Sequence, residues 1–264
     1  MGFCCAATDR CWTSTPHTTQ IRQNALTRAR SAKLRKLEPR RRLHLRILRE
    51  SMESHSIQKA VKNVRIMQVI ASWPFMDFGD KWDLPKLCQI AKALGCHGSE
   101  LLGPEAWPTL REYGLTCALS VNGMPDPPFV KGLNNRAYHE EIITRTRRRI
   151  EECARAGVPA VIAFTGFKYR DALDPNSAEI PRDEGAANTI RGLKAHALDA
   201  ERHGVTIVVE HLNTRVRGDD VRGHPGYQGD DIDYCADIIR AVGSPRVKLL
   251  FDIYHVQIMN GDVI

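Results

Sequence analysis

Lys248-Leu249-Leu250-Phe251-Asp252-Ile253-Tyr254-His255 decides how this 264-residue chain is read. Leu249, Leu250, Phe251 and Ile253 make a short apolar run, the pattern of a strand buried on both faces. The carboxylate of Asp252 ends that run, and His255 follows three residues later. A second stretch, Val205-Thr206-Ile207-Val208-Val209-Glu210-His211-Leu212-Asn213, repeats the design 42 positions earlier. A lone Asp after a strand is commonly a helix N-cap or a turn residue. Two buried strands that each end in a carboxylate and then a His instead suggest the floor of a site. In an α/β barrel the chemistry sits at that end of the strands.

Working outward, strand and helix patterns alternate. Val64–Ile70 reads as the first strand, followed by a loop with Trp73, Pro74 and Phe75. Asp83 then caps a helix carrying Leu84, Leu87, Ile90, Ala91 and Leu94 at helical spacing. Cys96–Leu102, Leu115–Val121 and Ala160–Phe164 are the next strands. Helices are expected at Trp107–Tyr113, Tyr138–Ala156, Glu184–His203 and Asp231–Val242, and a last one opens after Val256. Six βα units in a row imply a parallel sheet. No G-x-G-x-x-G follows the first strand, which disfavours a doubly wound nucleotide fold. The expected fold class is α/β, a (β/α)8 TIM-barrel type in which about six units are present, preceded by a basic irregular leader.

Charge divides the chain. Residues 1–50 carry 12 Lys/Arg against 3 Asp/Glu, and the remaining residues 26 against 28. The net charge of +7 therefore resides in the leader, and the domain of residues 60–264 offers no basic field for nucleic acid. Residues 1–55 fit a transit peptide, a basic arm, or translation assigned too early, with Met52 opening a more balanced segment; the last is preferred. No apolar run approaches a membrane span. Of eight cysteines, Cys88, Cys96, Cys117, Cys153 and Cys235 fall singly in helices and strands, while Cys4, Cys5 and Cys11 lack zinc-finger partners. All eight read as free thiols in a reducing, cytoplasmic setting.

Glu210-His211-Leu212-Asn213, the His224-Pro225-Gly226-Tyr227 loop and the run Gly243–Asp262 together resemble the hydroxypyruvate isomerase branch of the xylose isomerase-like TIM-barrel family. The likeness is densest from Gly204 onward. It implies a divalent metal, Mg²⁺ or Mn²⁺, held by strand-end carboxylates, with Glu210 both ligand and acid/base group and Asp252 a second ligand. His255 would contact a substrate oxygen. The oxygen donors suit a hard cation, and a carboxylate would move a proton between adjacent carbons through an enediolate. The implied partner is a small sugar or hydroxy-keto acid, with no nucleic acid or membrane and with a homo-oligomer allowed.

The sequence ends at Ile264, where the helix after strand six begins. The family's strands seven and eight, with two further ligands and an opposing glutamate, are thus expected to be missing, as in a fragment of an active isomerase. Further pocket candidates are His97 and Glu100 on strand two, Asn213, and His224 with Tyr227 as a lid, although His-Pro-Gly-Tyr is also a good turn. Trp73 and Phe75 either wall the pocket or pack. Lys168 either meets an anion or is solvated, and Arg145, Arg147, Arg148 and Arg149 read as an exposed helix face. The alternatives are a keto-sugar epimerase with the same machinery, a zinc-dependent apurinic-site endonuclease, and a non-catalytic barrel.

Overall fold

The computed structural model describes residues 67–217 and 223–261. The expected leader, residues 1–55, lies outside them, as do the first three residues, 64–66, of the expected first strand. The described strands are β1 (Val69–Ala71), β2 (Gly98–Leu102), β3 (Thr116–Ser120), β4 (Ala160–Ala163), β5 (Thr206–Glu210) and β6 (Val247–Leu250). Between them run α1 (Trp73–Met76), α2 (Leu84–Ala93), α3 (Trp107–Glu112), a 3₁₀ turn (Arg136–Tyr138), α4 (His139–Ala156), α5 (Arg182–His203) and α6 (Ile232–Val242). Finally, α7 (Ile253–Asn260) follows β6.

All neighbouring strands pair in parallel, and their spatial order is β1-β2-β3-β4-β5-β6. Chain order and spatial order coincide, so the sheet has no switch point. That is barrel winding and not the doubly wound alternative. Among the described residues β1 and β6 each pair on one side only.

Alternation along the strands makes two cores. Residues facing the helices, among them Val161, Ile207, Val209 and Val247, pack with Leu110, Ile150, Leu193 and Ile238 of the helices. The opposite face gathers Leu119, Ile162, Phe164, Leu212 and Tyr227, with Val208 and Leu250 against them. The helix boundaries follow capping chemistry. Asp83 accepts from the Lys86 amide at the start of α2, and Asp231 from those of Asp233 and Tyr234 at the start of α6. Gly157, Gly204 and Gly243 end α4, α5 and α6 in the left-handed conformation that a side chain disfavours.

Several local expectations are corrected. The run from Leu249 to Ile253 is not a strand buried on both faces: β6 stops at Leu250, and Phe251 and Ile253 are 54% and 53% exposed. Among the described residues β6 pairs on one side only, and Asp252 starts α7 three residues before the expected helix. Trp73 and Phe75 lie in α1 and not in a loop; their rings meet Phe78 edge-on and Trp82 face-on, at centroid distances of 5.9 and 4.8 Å. Of the arginine run on α4, Arg147 and Arg148 pair with Asp199 and Glu152 at the surface, whereas Arg149 is tucked in, reaching Glu152 and the Ser120 hydroxyl.

Candidate functional site

The C-terminal ends of β5 and β6 place Glu210 and Asp252 side by side. Glu210 is the last residue of β5 and pairs in register with Leu250. One ligating atom each from Glu210, Asp252 and His255 lie within 4.8 Å of one another. Among the described residues neither carboxylate has a Lys or Arg partner. Two acids that close favour a proton or a cation between them. Burial first, and the charge of Asp252 second, push the Glu210 carboxyl up to about 8.

The two acids are held differently. Asp252 Oδ1 accepts the amides of Tyr254 at 2.7 Å and His255 at 3.3 Å, so it is the N-cap of α7. Capping and site-lining are thus the same geometry, since the cap uses one oxygen and leaves Oδ2 facing the cluster. The side chain of Glu210 has no hydrogen-bond partner among the described residues; its carbonyl accepts the Tyr227 hydroxyl at 2.9 Å.

His255 is buried, and burial followed by the neighbouring His224 lowers it to about 3, so the ring is neutral. Its Nδ1 lies 3.1 Å from the Asn213 amide and 2.8 Å from Asn213 Nδ2. A backbone N–H only donates, so Nδ1 accepts and the proton sits on Nε2. Metal-bound imidazoles show the reverse arrangement, a lone pair to the metal and an N–H to the protein. Nε2 therefore faces the carboxylates, 3.8 Å from Asp252 Oδ2, as a donor and not as a ligand. Asn213 and His255 stand three residues after Glu210 and Asp252 respectively, so equivalent positions of consecutive units bond to each other.

Glu100 also belongs here. It lies in the middle of β2, where burial and then the charge of Asp252 raise its carboxyl, and its own charge acts on Glu210. Next to it Leu101 has a φ of 58°, a left-handed conformation that costs a leucine about 1–2 kcal/mol. His97 is not brought to the site. Its amide bonds to Gln68 ahead of β1 and its carbonyl to Thr116, which puts it at the opposite, N-terminal end of β2.

The His224–Tyr227 stretch is a turn closed by the Tyr227 amide on the His224 carbonyl. His224 lies against His255 at 5.6 Å between ring centroids and against Phe129 at 4.4 Å. Tyr227 is not a lid: it is 2% exposed, and its hydroxyl also accepts the Thr165 amide, tying the end of β4 to that of β5. Gln228 extends this strut to Asn134 and to the Ile180 carbonyl. Lys168 pairs with Glu179. It borders a cavity of about 550 Å³ with Arg182, Thr214, Arg217 and Asp230, and that cavity's lining includes none of Glu210, Asp252 and His255. Phe129 is the contact residue that the sequence did not single out, since nothing in a proline-rich loop marks which aromatic turns inward.

The family model described as xylose isomerase-like TIM barrel matches residues 88–264. The chain belongs to that family. It is 28% identical over 153 residues to 2-oxo-tetronate isomerase of Cupriavidus necator, covering 56% of each chain. To inosose isomerase of Bacillus velezensis it is 25% identical over 164 residues, covering 62% of this chain and 52% of the other. The chain thus spans about half the length of the curated relatives it matches, and both of those are isomerases. Among solved structures, an AP endonuclease of family 2 from Brucella melitensis has a TM-score of 0.58 at 20% identity, covering 75% of this chain and 73% of that one. The IOLI protein, solved with a bound zinc atom, has a TM-score of 0.53 at 18% identity, covering 74% and 65%. At those identities the likeness establishes the fold. None of the described helices is long and apolar enough to cross a membrane.

Proposed function

We propose that the chain carries a metal-assisted isomerase centre that moves a proton between adjacent carbons of a small hydroxy-carbonyl substrate, with hydroxypyruvate and tartronate semialdehyde as the pair to test. The observation that carries this is the convergence of Glu210 and Asp252, neither of which has a Lys or Arg partner among the described residues. Their oxygen donors fit a divalent cation such as Mg²⁺ or Mn²⁺. Glu210 and Asp252 would hold it, and when bound it would polarise the substrate carbonyl and stabilise negative charge on oxygen.

The rest is done by the chain's own groups. Glu210 takes the carbon-bound proton and returns it to the neighbouring carbon. His255 offers its Nε2–H to the oxygen on which charge develops, and Asn213 keeps that proton on Nε2. His224 lies against His255 and is itself backed by Phe129. The endonuclease alternative is disfavoured because residues 51–264 carry 26 basic against 28 acidic side chains, too little positive field to draw a phosphate backbone.

The test is conversion of hydroxypyruvate by the 264-residue chain with Mn²⁺, alongside Glu210→Gln. Conversion that Glu210→Gln lowers at least about 100-fold supports the reading. Conversion by Glu210→Gln at the wild-type rate, or epimerisation of a ketose at C3 in its place, contradicts it.

A further inference from the structure

Moving a carbon-bound proton is half of an aldose–ketose isomerisation; a hydroxyl proton must also pass from one oxygen to its neighbour. The irregular part of β2 supplies a group for this. Pairing with β3 shifts between Ser99 and Glu100 and again between Glu100 and Leu102, while Glu100 stays opposite Ala71 on the β1 side. Leu101 is the extra residue, in the left-handed region at φ 58°. Such bulges re-aim a side chain and are frequent beside active sites. The Ser72 hydroxyl donates to the Glu100 carbonyl at 3.0 Å and fixes the backbone there. The Glu100 carboxyl is half-buried, has no hydrogen bond or ion pair among the described residues, and is near enough that the charge of Asp252 acts on it and its own charge acts on Glu210.

We propose that Glu100 relays the hydroxyl proton between the two adjacent substrate oxygens while Glu210 moves the carbon-bound proton. This rests on the isomerase reading above and deepens it. For a substrate with a carbonyl at C1 and a hydroxyl at C2, Glu210 takes the proton on C2. The C–H electron pair becomes the C1–C2 double bond, and the carbonyl π pair moves to O1. The O2 hydroxyl gives its proton to Glu100, which passes it to O1. As the C2–O2 double bond forms, C1 takes the proton back from Glu210. No atom or electron enters or leaves.

The experiment compares the 264-residue wild type with Glu100→Gln. It reads Mn²⁺ binding by calorimetry, the thermal midpoint, and proton NMR of hydroxypyruvate in D₂O, which follows carbon-bound hydrogen exchange and net conversion separately. Expected for Glu100→Gln are Mn²⁺ affinity within about threefold, a midpoint no lower than wild type because a like charge is gone, and retained exchange with conversion down at least about 100-fold. Mn²⁺ binding weakened tenfold or more would make Glu100 a ligand and overturn the relay. Exchange and conversion falling together, or conversion unchanged, would overturn it too. A wild type that binds Mn²⁺ but exchanges no carbon-bound hydrogen overturns the isomerase reading itself, an outcome distinct from the others.

Discussion

The ends of β5 and β6 carry the same pattern, a carboxylate with a polar side chain three residues on, and they treat that carboxylate in opposite ways. β5 is paired on both sides, and Glu210 is partly buried with no group among the described residues hydrogen-bonded to its side chain. β6 is paired on one side, its continuation at Phe251 and Ile253 is exposed, and Asp252 is anchored by two backbone amides. Burial and the charge of Asp252 thus raise the Glu210 carboxyl toward neutrality, whereas two backbone amides fix the Asp252 side chain in direction. A proton-transfer group needs the first environment, and an anchoring oxygen the second.

The sharpest way to break this contrast is pH. The Glu210 carboxyl, ordinarily near 4.5, is raised to about 8 in the folded chain, so the unfolded chain releases that proton first. Stability without added metal should therefore fall as pH rises from about 4.5 to 8, by several kcal/mol in total at 1.36 kcal/mol per unit. Urea unfolding of Glu210→Gln should lack that slope, and added Mn²⁺ should shrink it in wild type. An identical slope in both proteins would remove the contrast.

His196 sharpens it with the opposite sign. It is fully buried on α5 with neither ring nitrogen hydrogen-bonded, and burial first, then Arg147, lower it to about 4. A histidine depressed in the folded state protects the fold above its ordinary 6.5 and loses that protection as pH falls through 4. The loss should reach roughly 3 kcal/mol, and His196→Leu should abolish it. Wild type and variant unfolding in parallel between pH 7 and pH 4 would contradict this.

At Asp252 two roles can be separated. Asp252→Asn keeps an N-cap acceptor, whereas Asp252→Ala removes it at a cost of about 1 kcal/mol. Both should lose Mn²⁺ binding, but only Asp252→Ala should unfold at lower urea. Equal midpoints for the two would deny the cap an energetic role.

Strand order, the capped helices and the glutamate–aspartate pair were legible in the sequence because apolar alternation and capping residues are local signals. The end of β6 was misread because Leu249, Leu250, Phe251 and Ile253 report apolarity, not the presence of a covering layer. Tyr227 was misplaced for a related reason, since a turn motif does not say whether its aromatic faces out or in. His97 and Glu100 share one strand in sequence, yet a strand's two ends lie on opposite sides of the sheet. The Leu101 bulge that aims Glu100 leaves no mark in residue type. The Asn213–His255 bond did have a signal, the common spacing of the two strand ends.

Convergence of Glu210 and Asp252 on one divalent cation is tested most directly by calorimetric titration of Mn²⁺ into wild type, Glu210→Gln, Asp252→Asn and the double variant. The expected result is one site per chain, each single substitution weakening it at least about tenfold, and the double variant losing less than the two singles combined, because the two groups act on one ion. Losses that add independently, or Mn²⁺ bound equally well by all four proteins, would contradict it.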